Sequence, residues 1–271
     1  MSLNFESGFP IAILKDRTNK TKKKNKIVFV NDKRTNNCTN ELNLEKYYQS
    51  DDSDSDDDKP YFQLIPNKHT ERPLTLGVLG ASGSGKSYFC GQVIAEYTKM
   101  FKDHPVILFS DKETTDPSLG EIPNLKRVKI SNELLDDDAD YFSDIRDNEA
   151  PCLVIYDDID SIMPTKLKKY IYMLVAKTLK VGRDKGISCI VTNHKLKVHK
   201  ETEAILEECK FITIFPRNWD IKMEAFCKDY LGLSKEEMKK IRKSKGRATT
   251  LCKTYPNVIL QNDKIFVKGL E

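Results

Sequence analysis

No stretch of this chain approaches the ~18 consecutive apolar residues that a membrane-crossing helix needs. The first residues carry Glu6 and offer only the short apolar run 11–14. Neither a secretion signal nor an integral membrane segment is therefore expected, and the chain reads as intracellular. Seven cysteines (Cys38, Cys90, Cys152, Cys189, Cys209, Cys227 and Cys252) are scattered singly. With no C-x-x-C pair and no histidine at zinc-ligand spacing, a disulfide framework and a zinc site are both excluded in favour of buried reduced thiols. There is one tryptophan, Trp219, expected as a core anchor in preference to a platform for stacked bases. Neither sign of charge dominates, with 45 Lys and Arg against 41 Asp and Glu for a net +4.

What the chain has in quantity is charge, 32% of residues against 39% hydrophobic, and that charge is segregated. Lys15, Arg17, Lys20, Lys22, Lys23, Lys24 and Lys26 form a basic cluster, followed by a β-like patch at 27–30 and then by an Asp/Ser run at 51–58. A run of that kind repels itself and buries nothing, so residues 1–67 are expected to be an arm with a disordered linker. Phosphorylation of Ser53 and Ser55 is the functional alternative. Folded structure is expected from about Tyr61, and a single domain over 68–271.

The chain organises itself around residues 73–87. An apolar strand at 74–79 runs into Gly80-Ala81-Ser82-Gly83-Ser84-Gly85-Lys86-Ser87, the pattern G-x-x-x-x-G-K-[ST] between a strand and a helix. Glycines let successive N–H groups turn inward on a phosphate, and the following helix adds its positive end. Gly80 to Tyr88 are the candidate nucleotide-binding residues, with Lys86 reaching the β- and γ-phosphates and Ser87 holding Mg²⁺. No N-K-x-D string accompanies the loop, so ATP is favoured over GTP.

About 70 residues on, the apolar run 152–156 ends in Asp157-Asp158-Ile159-Asp160. Carboxylates at the C-terminal end of a buried parallel strand lie where ligands of open α/β sheets collect. Asp157 is the second candidate Mg²⁺ residue, and Asp158 the candidate for positioning the attacking water. Asp is one methylene shorter than the glutamate common at that position, and Asp160 or a water bridge could compensate. A helix over 163–180 and a strand over 187–194 follow. The polar end of that strand offers Thr192 or Asn193 as a γ-phosphate sensor. A fifth buried strand is expected at 211–215, then a helix at 219–231, a basic helix N-capped by Ser234 and carrying Lys239, Lys240, Arg242, Lys243 and Lys245, and a terminal hairpin turning near 261–263.

The helix over 163–180, Gly182-Arg183, Lys185-Gly186-Ile187-Ser188 and the strand after them resemble the corresponding segment of the FtsK/HerA superfamily of DNA-pumping ATPases. Within it the likeness is to the genome packaging ATPases of poxviruses and other nucleocytoplasmic large DNA viruses, and it covers residues 74–215. The resemblance implies a three-layer α/β P-loop NTPase of the ASCE, RecA-like kind, with the 187–192 strand between the P-loop and Walker B strands. It implies Arg183 as an arginine finger serving a neighbouring subunit, Asn193 where related pumps carry glutamine, ATP and Mg²⁺ as cofactors, and a homo-oligomeric ring around double-stranded DNA. Capsid or portal-like proteins would be further partners, in the cytoplasm of the infected host cell or the virion. Either Lys239–Arg247 or Lys166–Lys169 could face the DNA. A nucleotide-dependent switch and a P-loop small-molecule kinase are the alternatives.

Overall fold

The structure, a computed structural model, describes residues 2–15, 26–31, 39–44, 60–66, 73–136, 140–194, 200–244, 246–254 and 257–269. The acidic run 51–58 with Ser53 and Ser55, the basic residues from Arg17 to Lys24, and Lys245 lie outside these. Two compact units emerge: residues 66–214, and residues 1–65 together with 215–271.

Regular structure begins well before Tyr61, contrary to expectation. β1 (Ser2–Asn4), β2 (Phe9–Lys15), β3 (Lys26–Asn31), β4 (Glu41–Asn43) and β5 (Tyr61–Leu64) all precede the P-loop. β1, β3, β2 and β5 form an antiparallel sheet in that order. In β3 alternate residues Val28 and Val30 are buried while Ile27 is exposed, the half-buried pattern of period two.

Residues 66–214 form an α/β unit. Its strands are β6 (Thr75–Leu79), β7 (Val106–Ser110), β8 (Leu125–Lys129), β9 (Leu153–Tyr156), β10 (Ser188–Asn193) and β11 (Phe211–Ile214). They run in the order β11-β6-β10-β9-β7-β8, and every adjacent pair is parallel. All but the edge strand β8 are buried along their whole length. That explains their near-continuous apolar sequences; each fully buried Leu, Ile or Val contributes about 1.5–3 kcal/mol. β10 lies between the P-loop strand β6 and the Walker B strand β9, as expected. The helices are α1 (Lys86–Met100), single turns α2 (Glu133–Asp136) and α3 (Tyr141–Asp144), α4 (Thr165–Val181) and α5 (Lys200–Glu208). α4 turns Leu167, Ile171, Leu174, Val175 and Leu179 inward, the stripe its periodicity required.

The other unit is completed by α6 (Ile221–Asp229), α7 (Lys235–Arg242), β12 (Thr249–Cys252), β13 (Val258–Gln261) and β14 (Lys264–Val267). Ser234 caps α7 in a full capping box with Glu237, worth about 1 kcal/mol. β13 and β14 form the expected hairpin; β12 adds to β13, and β4 adds to β14. Trp219 is not a core anchor. It is half-buried, donates from Nε1 to Glu224 Oε2 at 3.4 Å, and carries the Arg242 guanidinium 5.6 Å above its ring, a cation–π arrangement.

Candidate nucleotide-binding site

β6 delivers the chain to Gly80, whose N–H donates to the Asn193 carbonyl at 3.1 Å and so ties the loop to the end of β10. Gly83 and Gly85 have φ of +73° and +103°, which glycine alone adopts freely. Ala81, Ser82 and Gly83 are exposed, and a Cβ added at Gly83 would meet nothing within 4 Å. The loop is thus open on the side a phosphate would approach. Lys86 is buried, donating to the carbonyls of Gly80 (2.9 Å) and Ala81 (3.4 Å), with its Nζ 3.7 Å from Asp158 Oδ1. Ser87 follows in the first turn of α1, and Tyr88 beside it is exposed.

Asp157 and Asp158 leave β9 at the same sheet edge. Asp157 N–H donates to the Phe109 carbonyl at 2.9 Å. Asp158 is left-handed, at φ +49°, a conformation that costs a non-glycine residue about 1 kcal/mol or more. Thr192 holds it there: Asp158 N–H donates to Thr192 Oγ1 at 2.7 Å, and that hydroxyl lies 3.1 Å from Asp157 Oδ1 and 3.3 Å from Asp158 Oδ1. The two sensor candidates therefore separate. Thr192 is engaged with the carboxylates. Asn193, 1% exposed, has no hydrogen-bond partner for either Oδ1 or Nδ2 among the described residues. A buried amide left unpaired costs about 1–3 kcal/mol and points to a ligand. Ser84 Oγ, in the loop itself, is likewise buried and without a partner there.

Three further side chains enter the site that the motifs did not indicate. Lys112, two residues past β7, places Nζ 2.8 Å from Asp157 Oδ2 and 3.1 Å from Asp158 Oδ2. Burial works against its ammonium, but the hydrogen bonds and charge of the two aspartates outweigh it and hold its pKa above the ordinary lysine value. His194 accepts this neighbourhood from the other side: its N–H donates to Asp160 Oδ1 at 3.0 Å, its Nδ1 is 3.1 Å from the same oxygen, and its Nε2 is 3.5 Å from Asp158 Oδ1. Asp116 lies near Ser87. Its carboxyl is held low by the Ser118 backbone N–H first, against burial, with help from Ser87 and Lys112. The rule that ligands gather beyond strand C-termini was the signal available for Lys112 and His194. For Asp116, six residues past β7, the sequence held none. Cys90, fully buried behind the loop, has its thiol pushed far up by burial and the Asp157 charge, so it is an inert core residue.

The donor set offered to a metal is oxygen only, Ser87 and Asp157, which suits Mg²⁺. No group of three or more His, Cys, Asp or Glu among the described residues is arranged to hold a metal alone; phosphate and water oxygens would have to complete the shell.

Arg183 is not brought to this site. It is exposed in the short turn Gly182–Lys185 that precedes β10, whereas Asn193 ends that strand. Its six residues make five steps of ~3.3 Å, which put about 17 Å between the two edges. Of the basic candidates, Lys166 and Lys169 are exposed and Lys168 donates to the Asp160 carbonyl at 2.7 Å. Lys239, Arg242 and Lys243 are exposed, while Lys240 lies over Phe266 and 3.5 Å from Glu41.

No family model matches the chain. It is 32% identical over 218 residues to protein V3 of the Sputnik virophage, covering 78% of this chain and 85% of that one. Among solved structures it is similar to the genome packaging NTPase B204 from Sulfolobus turreted icosahedral virus 2 in complex with AMPPCP. That likeness has a TM-score of 0.46 at 13% identity over 74% of this chain and 99% of that one. It is also similar to the cytoplasmic domain of the Thermomonospora curvata Type VII secretion ATPase EccC, with a TM-score of 0.49 at 14% identity over 80% of this chain and 28% of that one. No helix of the described residues is long and apolar enough to cross a membrane. With the P-loop, the Walker B strand and the intervening β10 in place, the fold is that of an α/β P-loop NTPase, and the chain belongs to the family of the Sputnik virophage protein V3.

Proposed function

We propose that the chain is a Mg²⁺-dependent ATP hydrolase that couples turnover to movement of double-stranded DNA, in the setting of viral genome packaging into a capsid. The observation that carries the hydrolase is the convergence of Lys86, Ser87, Asp157, Asp158 and the unpartnered Asn193 amide at one sheet edge. A structural end to β10 would leave no reason to keep that amide buried and unpaired.

In this reading Gly80 to Tyr88 wrap the nucleotide. Lys86 exchanges the Gly80 and Ala81 carbonyls for β- and γ-phosphate oxygens. Ser87 and Asp157 would hold Mg²⁺, which neutralises phosphate charge when bound. Asp158 orients a water and accepts its proton as the water oxygen bonds to the γ-phosphorus and the bond to the β–γ bridging oxygen breaks, giving ADP and phosphate. Asn193 donates to the γ-phosphoryl group or the water. Arg183, too far from its own loop, serves the site of the next copy in a homo-oligomeric ring, where a guanidinium is worth about 10³–10⁵ in rate.

The DNA part rests on the FtsK/HerA resemblance of residues 74–215, with the exposed lysines and arginines of α4 or α7 as phosphate contacts. Capsid or portal-like proteins are the proposed docking partners, and the infected host's cytoplasm the proposed place of action. The test is steady-state ATP hydrolysis with and without long double-stranded DNA across salt concentration, beside Lys86→Ala. Hydrolysis that rises with DNA, fades at high salt and vanishes in the variant supports the motor. Turnover indifferent to DNA removes the coupling and leaves an ATPase or a nucleotide switch.

A further inference from the structure

The two carboxylates at the end of β9 are engaged by one short stretch of chain. Residues 111–119 leave β7 and cross the phosphate end of the site. Lys112 takes Asp157 Oδ2 at 2.8 Å and Asp158 Oδ2 at 3.1 Å. The stretch is clamped on either side of these contacts. Arg127 of β8 donates to the carbonyls of Lys112 and Glu113, and Lys129 pairs with Glu113 at 2.6 Å. At the far end, Asp116 caps the turn Pro117–Leu119 by accepting Ser118 N–H at 2.9 Å. That turn lies directly on α1: a Cβ at Gly91 would be 2.7 Å from the Ser118 carbonyl oxygen and 2.8 Å from that of Leu119. Between its clamps the Lys112 side chain is 36% exposed, with room to swing outward.

An ammonium and a divalent cation cannot share Asp157 Oδ2, because both would sit within contact distance of one oxygen and of each other, where like charges repel most strongly. We infer that residues 111–119 form a latch on the carboxylate pair: Lys112 is a positioning residue that holds Asp157 and Asp158 in register and competes with Mg²⁺ for them. The inference rests on the nucleotide-binding reading of this site. Its consequence is that Mg²⁺ and nucleotide have to enter together against a resident cation, so the site resists either one alone.

The test is a titration of Mg²⁺ at fixed concentration of a fluorescent, non-hydrolysable ATP analogue, read by anisotropy, on the full chain and on Lys112→Met, Lys112→Gln and Lys112→Arg. Melting temperatures are recorded in EDTA and in Mg²⁺. The latch requires the Mg²⁺ half-point to fall by about fivefold or more in Lys112→Met and Lys112→Gln, in the usual range of couplings between sites. Lys112→Arg should retain the wild-type half-point. Should either neutral variant lose its melting transition in EDTA, the other still decides the matter. An unchanged or raised half-point, with the analogue still bound, overturns the latch alone and makes Lys112 a group that assists nucleotide binding. Failure of the wild-type chain to bind the analogue at any Mg²⁺ concentration overturns the nucleotide reading itself, and the latch with it.

Discussion

In residues 66–214 the strands are parallel and, apart from β8, buried from end to end; in residues 1–65 and 215–271 they are antiparallel, and β2 and β3 are only partly buried. The difference has a chemical consequence. Parallel strands all end on one edge, so Gly80, Asp157, Asn193 and Lys112 arrive together although they are far apart in sequence. Antiparallel strands send alternate ends to opposite edges, and what that unit gains instead is cohesion between distant parts of the chain. Phe62 N–H donates to the Asn262 carbonyl at 2.8 Å, and Leu44 N–H to that of Asp263 at 2.9 Å. One unit gathers chemistry at one edge and the other ties distant segments together, and substitutions can separate the two.

The largest separation is expected from Lys86→Ala. Removing a pre-placed cation from the transferring phosphoryl group should lower turnover by about 10²–10³-fold, with the melting temperature nearly unchanged; a collapse of the melting transition would mean that Lys86 holds the loop together instead. Ile259→Ala is the counterpart in the other unit. Ile259 is fully buried in β13, so truncation should cost about 2–5 kcal/mol in denaturant unfolding. The folded fraction should keep its turnover.

Asn193→Leu sharpens the contrast within the first unit. Replacing an unpaired buried amide by an apolar side chain of similar volume should raise stability by up to about 1 kcal/mol while lowering hydrolysis, the trade expected of a strained functional residue. A variant that is both less stable and fully active would show the amide to be structural.

The smallest effect is a pH dependence at His104. Its Nδ1 is 2.9 Å from the Tyr97 hydroxyl, and burial, opposed by the Asp103 charge, holds its pKa below the usual histidine value. The folded imidazole therefore binds fewer protons than the unfolded one from about pH 6.5 down to the lowered pKa. Its contribution is complete above about pH 6.5 and declines as pH falls through that window. The melting temperature should drop between pH 7.5 and 5.5, and His104→Phe should flatten the drop.

The two units were also unequally legible in the sequence. Buried parallel strands must be apolar throughout, so β6, β7, β9, β10 and β11 could be read directly, and the order β6-β10-β9 followed from the resemblance. β1 to β5 could not be read in this way. Their partners are distant, their burial is alternate, and they lie among charge runs that argue for an unfolded arm. Only the short patch within β3 was visible. At the site, residues inside a motif were legible because spacing alone places them. Lys112 and Asp116 belong to a loop of irregular backbone, where no period says which side chain turns inward. Trp219 failed for a related reason: size suggested the core, yet the indole N–H needs a polar partner, and it found Glu224 near the surface.

Arg183 precedes β10 and Asn193 ends it, so in the proposed ring each copy would be a donor at one edge and an acceptor at the other. If that is how the arginine works, two inactive proteins should cure each other. A Lys86→Ala copy keeps a sound arginine and an Arg183→Ala copy keeps a sound loop, so mixing them should restore hydrolysis that neither has alone, in proportion to how often the intact edges meet.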